Sequence, residues 1–141
     1  MIPKAVIHAV AKEESLRDTT VEKDYVLGWM LHGIAAHASL SRWVFKGGTC
    51  LKKCFFETYR FSEDLDFTVQ AGDSLSKNAI EGALKEVCDW VAAESGIQFP
   101  GDGLDVEEYK NKQGTVSFQA RVTYVGPLAL ARRSLQRIKF D

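Results

Sequence analysis

Apolar residues recur along the chain with two different periods, and the switches between them divide it into elements. Thr19 and Glu22 form a capping-box pattern. Beyond it, Val21, Tyr25, Val26, Trp29, Met30 and Ile34 make a wide apolar face that predicts a buried helix from Val21 to about Ala38. Trp43-Val44-Phe45 is a short apolar run ending in Lys46-Gly47-Gly48-Thr49, which predicts a strand, a glycine turn and a helix through about Phe56. Leu65 to Val69 predicts a second strand, with Leu65 and Phe67 on one face and Asp64, Asp66 and Thr68 on the other. From about Ser74 to Glu94 the helical period returns at Ala79/Ile80, Ala83/Leu84, Val87/Cys88 and Val91, and Gly96 supplies a stop.

The second half of the chain is dominated by alternation. Pro100-Gly101-Asp102-Gly103 is turn chemistry. Thr115 to Tyr124 alternates cleanly, with Val116, Phe118, Ala120, Val122 and Tyr124 opposite Thr115, Ser117, Gln119, Arg121 and Thr123. With Leu104 to Lys110 before it and Asn111-Lys112-Gln113-Gly114 between, it predicts an antiparallel hairpin. Gly126-Pro127 interrupts the pattern, and Leu135 to Phe140 predicts a last strand. Helices segregating around a small mixed sheet indicate an α+β or α/β fold, in one domain of 141 residues.

Composition narrows the partners. The net charge is −1, so any binding of a polyanion must be local. No stretch approaches the ~18 apolar residues of a membrane span. Met1 to His8 lacks the apolar core of a secretory signal. The expectation is a cytoplasmic protein without a membrane partner. Cys50, Cys54 and Cys88 are an odd number, against a disulfide framework. Cys50 and Cys54 have helical spacing and suggest either zinc with His32 or His37, or small residues packing a helix; packing is the preferred reading.

Three features carry chemistry. Gly47-Gly48-Thr49 stands between a strand and a helix, where glycines let backbone N–H groups approach a phosphate and the helix start adds partial positive charge. Lys46, Lys52 and Lys53 add charge nearby. By itself such a pair is most often only a turn. Asp64 and Asp66 project from one face of a strand, an arrangement that suits magnesium or, without a cation, an acidic strand edge. Arg137, Lys139 and Asp141 lie opposite Ile138 and Phe140. If their strand adjoins Asp64 and Asp66, Asp141 is a third carboxylate.

Taken together, a glycine turn, then D-x-D, then a late carboxylate strand resembles the nucleotidyltransferase superfamily of DNA polymerase beta. More closely, Phe45-Lys46-Gly47-Gly48-Thr49-Cys50-Leu51-Lys52 followed by Arg60-Phe61-Ser62-Glu63-Asp64-Leu65-Asp66-Phe67 is similar to the AbiEii-type toxin family, which includes the MenT toxins. Glu22-Lys23-Asp24-Tyr25-Val26 is similar to that family's N-terminal helix signature. The resemblance spans about Val21 to Asp141.

It implies a polymerase-beta-like fold and a toxin of a type IV toxin–antitoxin or abortive-infection system, with a cognate antitoxin. It further implies magnesium-dependent transfer of a nucleotide from an NTP to an acceptor, the 3′ end of tRNA among MenT members. On the matching positions, Gly47, Gly48, Thr49, Lys52 and Ser62 would hold the nucleotide, and Asp64, Asp66 and Asp141 would be catalytic and hold magnesium. Lys23 and Asp24 would organise the fold or the pocket wall. The family continues into a helical C-terminal half, so the chain is expected to be the enzyme's core without that half. The other readings are a nucleotide-binding or antitoxin-docking module without turnover, and a sugar transferase using D-x-D. Phe55, Phe56, Tyr59 and Phe61 are either base-stacking groups or core, with core preferred for at least two of them.

Overall fold

In a computed structural model, which describes residues 1–56, 61–70 and 75–141, five strands form one sheet. They are β1 (Val44–Lys46), β2 (Asp64–Thr68), β3 (Leu104–Lys110), β4 (Val116–Thr123) and β5 (Arg137–Phe140), in the order β1-β2-β5-β4-β3. Only β2 and β5 run parallel; the other three pairs are antiparallel. The helices are α1 (Lys4–Glu13), α2 (Asp18–Ala36), α3 (Gly47–Cys50), which continues as a π-helical turn over Leu51–Phe55, and α4 (Lys77–Ser95). The mixed α+β architecture is the one the patterning predicts.

Alternation sorts the sheet into two unlike faces. Leu65, Val106, Ala120, Val122, Ile138 and Phe140 are all buried and meet Val26, Leu27, Met30 and Ile34 of α2 with Ile80, Leu84, Val87 and Val91 of α4. Each such fully buried aliphatic side chain contributes on the order of 1.5–3 kcal/mol. Helix α2 approaches α4 closely at Gly33, where a Cβ would come within 2.8 Å of Val87. The opposite face carries the polar positions of each strand and is left largely to solvent. No helix among the described residues is long and apolar enough to cross a membrane.

Several local expectations change. Helix α2 starts earlier than the capping box suggested: Arg17 is its N-cap and Asp18 its first residue. Glu22 is not a capping residue, because its side chain turns inward, is 1% exposed, and accepts the Leu128 N–H at 2.6 Å. Helix α4 is capped by Ser76, whose Oγ accepts the Ala79 N–H at 3.2 Å, and ends at Gly96 with φ +78°. Its expected start at Ser74 lies outside the described residues. Helix α1 has no counterpart in the sequence reading. Only Ile7 and Ala11 of it are buried, against Val21 and Leu128, and two positions one turn apart leave too faint a stripe to read.

The aromatic run also differs. Phe55 and Phe56 are 70% and 56% exposed and so are not core; Phe61 is half-buried, and Tyr59 lies outside the described residues. Phe55 is the last residue of the π-turn, none of whose residues is buried, and Phe56 is already extended. Cys50 is buried with its thiol on the Phe45 carbonyl, as a packing residue should be, whereas Cys54 is exposed.

Candidate metal and phosphate site

Register brings the predicted carboxylates together. On β1 and β2, Lys46 pairs with Asp66; on β2 and β5, Asp64 pairs with Lys139. The Asp141 N–H donates to Leu65 O at 3.0 Å and the Phe67 N–H donates to Asp141 O at 2.8 Å, which extends the parallel ladder and sets Asp141 beside Asp66. On the other side of β5, Arg121 pairs with Lys139, and Gln119 follows beside Asp141. Two polar rows therefore cross the open face: Lys46, Asp66, Asp141, Gln119, Glu107, and below them Asp64, Lys139, Arg121, Asp105. The condition set for Asp141, a strand adjoining Asp64 and Asp66, is met.

The electrostatics follow from that crowding. Burial, then the charges of Asp141 and Asp64, push the Asp66 carboxyl above the usual aspartate value, and Lys46 and Lys139 only partly offset them. The ammonium of Lys139 bonds Asp141 Oδ2 at 2.5 Å, and that bond, with the charges of Asp141, Asp64 and Asp66, holds its pKa above the ordinary lysine value. Asp66 and Asp141 both line a cleft of about 790 Å³ that also exposes Lys46, Trp43 and Tyr109.

The glycine turn leans on this strand. Gly47 has φ +78°, and a Cβ there would come within 2.9 Å of the Asp66 carboxyl carbon. At Gly48 a Cβ would come within 3.1 Å of Ser62 Oγ. Thr49 is buried, and its hydroxyl donates to the Asp64 carbonyl at 2.6 Å, so that group ties the turn to β2 and leaves only the Thr49 backbone facing the helix start. Lys52 lies over the Phe61 ring, its ammonium 4.6 Å from the centroid. The glycine, Ser62 and D-x-D positions thus form one neighbourhood.

The charged residues of the N-terminal signature act as ties. Lys23 donates to Glu63 at 2.8 Å and Lys53 pairs with Asp24 at 2.9 Å, fastening α2 to the segments on either side of the site. Sequence reasoning missed the supporting side chains. Gln119 Nε2 donates to Asp141 Oδ1 at 2.9 Å, Arg121 donates to Gln119 Oε1, and Glu107 and Asp105 hold Arg121 at 3.3 and 3.6 Å. The alternation of β4 already put Gln119 and Arg121 on one face; their partners depend on register, which pattern alone does not reveal.

Among the described residues, no three His, Cys, Asp or Glu side chains converge closely enough to form a finished metal cage, for zinc at the cysteines or elsewhere. The donor chemistry at β2 and β5 nevertheless suits a hard cation: three carboxylates, one made less stable as an anion by burial and then by the other two. Two lysines now supply the balancing charge.

The family model described as nucleotidyl transferase AbiEii toxin, type IV TA system, matches residues 29–141. No curated protein matches the chain.

Proposed function

Because the chain belongs to the nucleotidyl transferase AbiEii toxin family of type IV toxin–antitoxin systems, we propose that its open sheet face is the site of a magnesium-dependent nucleotidyl transfer. The observation that carries this reading is the adjacency of Asp66 to Asp141 and Asp64, with the Gly47-Gly48 turn against the same carboxylate. The acceptor hydroxyl, in our reading at the 3′ end of a tRNA, attacks the α-phosphorus of an NTP; the new O–P bond forms as pyrophosphate leaves. An antitoxin encoded with the toxin would be the physiological partner.

Asp64, Asp66 and Asp141 would hold magnesium. When bound, the ion neutralises phosphate charge and lowers the pKa of the attacking hydroxyl. The protein's own share is positioning. Gly47 and Gly48 let the first N–H groups of α3, which have no partner within the helix, face a phosphate. Ser62, beside Gly48, offers a hydroxyl there, the Thr49 backbone completes the turn, and Lys52 adds charge at the edge. Holding the reactants in line and meeting charge with fixed groups accounts for most of the acceleration in such transfers.

Titration with magnesium and NTP, run beside a labelled-NTP transfer assay on tRNA, tests this. Asp64→Asn should lose transfer while the fold persists. Transfer at the wild-type rate in that variant would overturn the metal assignment. Wild-type binding without transfer would favour a nucleotide-binding module.

A further inference from the structure

We propose that Gln119 is a positioning residue for Asp141, and that Arg121 fixes Gln119 in the one amide orientation able to serve it; this rests on the metal reading of Asp141 given above. The two oxygens of Asp141 have different partners: Oδ1 accepts Gln119 Nε2 at 2.9 Å, and Oδ2 accepts Lys139 Nζ at 2.5 Å. Those partners differ in kind. Lys139 is a point charge on a flexible stem and balances charge without fixing a plane. A glutamine amide is planar and directional, and can fix one.

It does so only if its own orientation is fixed. The oxygen and nitrogen of a glutamine amide are nearly the same shape, so its partners decide which end points where. Arg121 settles the matter, since a guanidinium only donates. Its bond to Gln119 Oε1 turns Nε2 toward Asp141. The flipped amide would set oxygen against carboxylate at one end and donor against donor at the other. Arg121 is in turn steadied from the edge strand β3 by Glu107 at 3.3 Å and Asp105 at 3.6 Å. A single polarity thus runs inward from β3 to Asp141, like the outer-sphere bonds that aim metal-binding carboxylates.

A purely architectural role explains this less well. Strands β4 and β5 are already joined by a backbone ladder from Ala120↔Phe140 to Thr123↔Arg137, and Gln119 lies beyond it. Gln119 is half-buried and lines a cleft of about 690 Å³ together with Asp66, Lys139 and Asp141. Its side chain faces the site and not the core.

Manganese titration by calorimetry, with metal-free melting curves, tests the assignment. Gln119→Ala should bind Mn²⁺ about tenfold or more weakly, the usual size for loss of an outer-sphere partner, while melting close to wild type. Gln119→Asn, which keeps the amide but shortens its reach, should be as weak. Arg121→Ala should weaken binding too, Arg121→Lys should restore part of it, and the double alanine variant should be no weaker than Gln119→Ala alone. Asp141→Ala separates the two levels of the claim. If Asp141→Ala loses binding while Gln119→Ala keeps it, the positioning role is overturned and the metal reading stands; if Asp141→Ala binds normally, both fall. Additive losses in the double variant would overturn the link from Arg121 to Gln119.

Discussion

A side chain at Gly47 would occupy the space of the Asp66 carboxylate. The glycine is demanded twice, by φ +78° and by the approach of its Cα to a carboxyl carbon that a Cβ would meet at 2.9 Å. One residue therefore shapes the turn and fixes how close the acidic strand can come to the start of α3.

Gly47→Ala should damage both. The left-handed backbone costs a non-glycine residue about 1–2 kcal/mol, and moving Asp66 adds to that. Melting temperature and Mn²⁺ affinity should fall together. A variant that melts lower but binds Mn²⁺ normally would show that the turn does not govern the carboxylate.

Asp66→Asn should stabilise the metal-free protein and weaken its metal binding. Burial and the charges of Asp141 and Asp64 raise the folded-state pKa of Asp66 above its ordinary 3.8. A raised carboxyl binds its proton more tightly in the folded state, so its contribution is fully favourable below 3.8 and is lost as pH rises through the folded pKa. At pH 7 the wild type bears that whole cost and the asparagine variant bears none. Melting curves between pH 3 and 8 should show the variant's advantage greatest at neutral pH and vanishing in acid. An advantage independent of pH would point to packing instead of charge.

Much of this site was legible before the fold. Alternation alone placed Asp64 and Asp66 on one face and put Lys139 and Asp141 opposite Ile138 and Phe140, because side-chain direction in a strand is a local property. What joined the two sets, the parallel pairing of β2 with β5, is long-range and leaves no local trace. Glu22 shows the opposite failure: its spacing from Thr19 fits a capping box, but a buried N–H 106 residues away outcompetes the local use. The outward turn of Phe55 was hidden for a similar reason, since composition does not announce a π-turn.

That buried contact makes Glu22 a test of structure, separate from the site. Glu22→Ala leaves the Leu128 N–H without its acceptor, which should cost about 1–3 kcal/mol. Glu22→Gln keeps an acceptor oxygen and should lose much less. Burial raises the folded-state pKa of Glu22 above 4.5, with the Leu128 bond opposing, so the wild-type carboxylate weakens as an asset once pH climbs through that value. The gap between Glu22→Gln and wild type should therefore shift in favour of glutamine from pH 4 to pH 8 in urea melts. Equal losses for alanine and glutamine would show that the hydrogen bond is not what the residue supplies.

Two helical glycines should respond in opposite directions to the same change. Gly→Ala within a helix gains about 0.5–1 kcal/mol from backbone propensity when space is open. Gly82 of α4 is exposed and a Cβ there would meet nothing within 4 Å, so Gly82→Ala should raise the melting temperature. Gly33 of α2 faces Val87 and Val91, and a Cβ would lie 2.8 and 3.0 Å from their methyl groups. Both valines are buried in the core and have little room to move, so overpacking of about 1–3 kcal/mol outweighs the propensity gain. Gly33→Ala should melt lower than wild type, with the loss confined to stability. If it instead matches the gain of Gly82→Ala, the close crossing of α2 over α4 is softer than its geometry indicates.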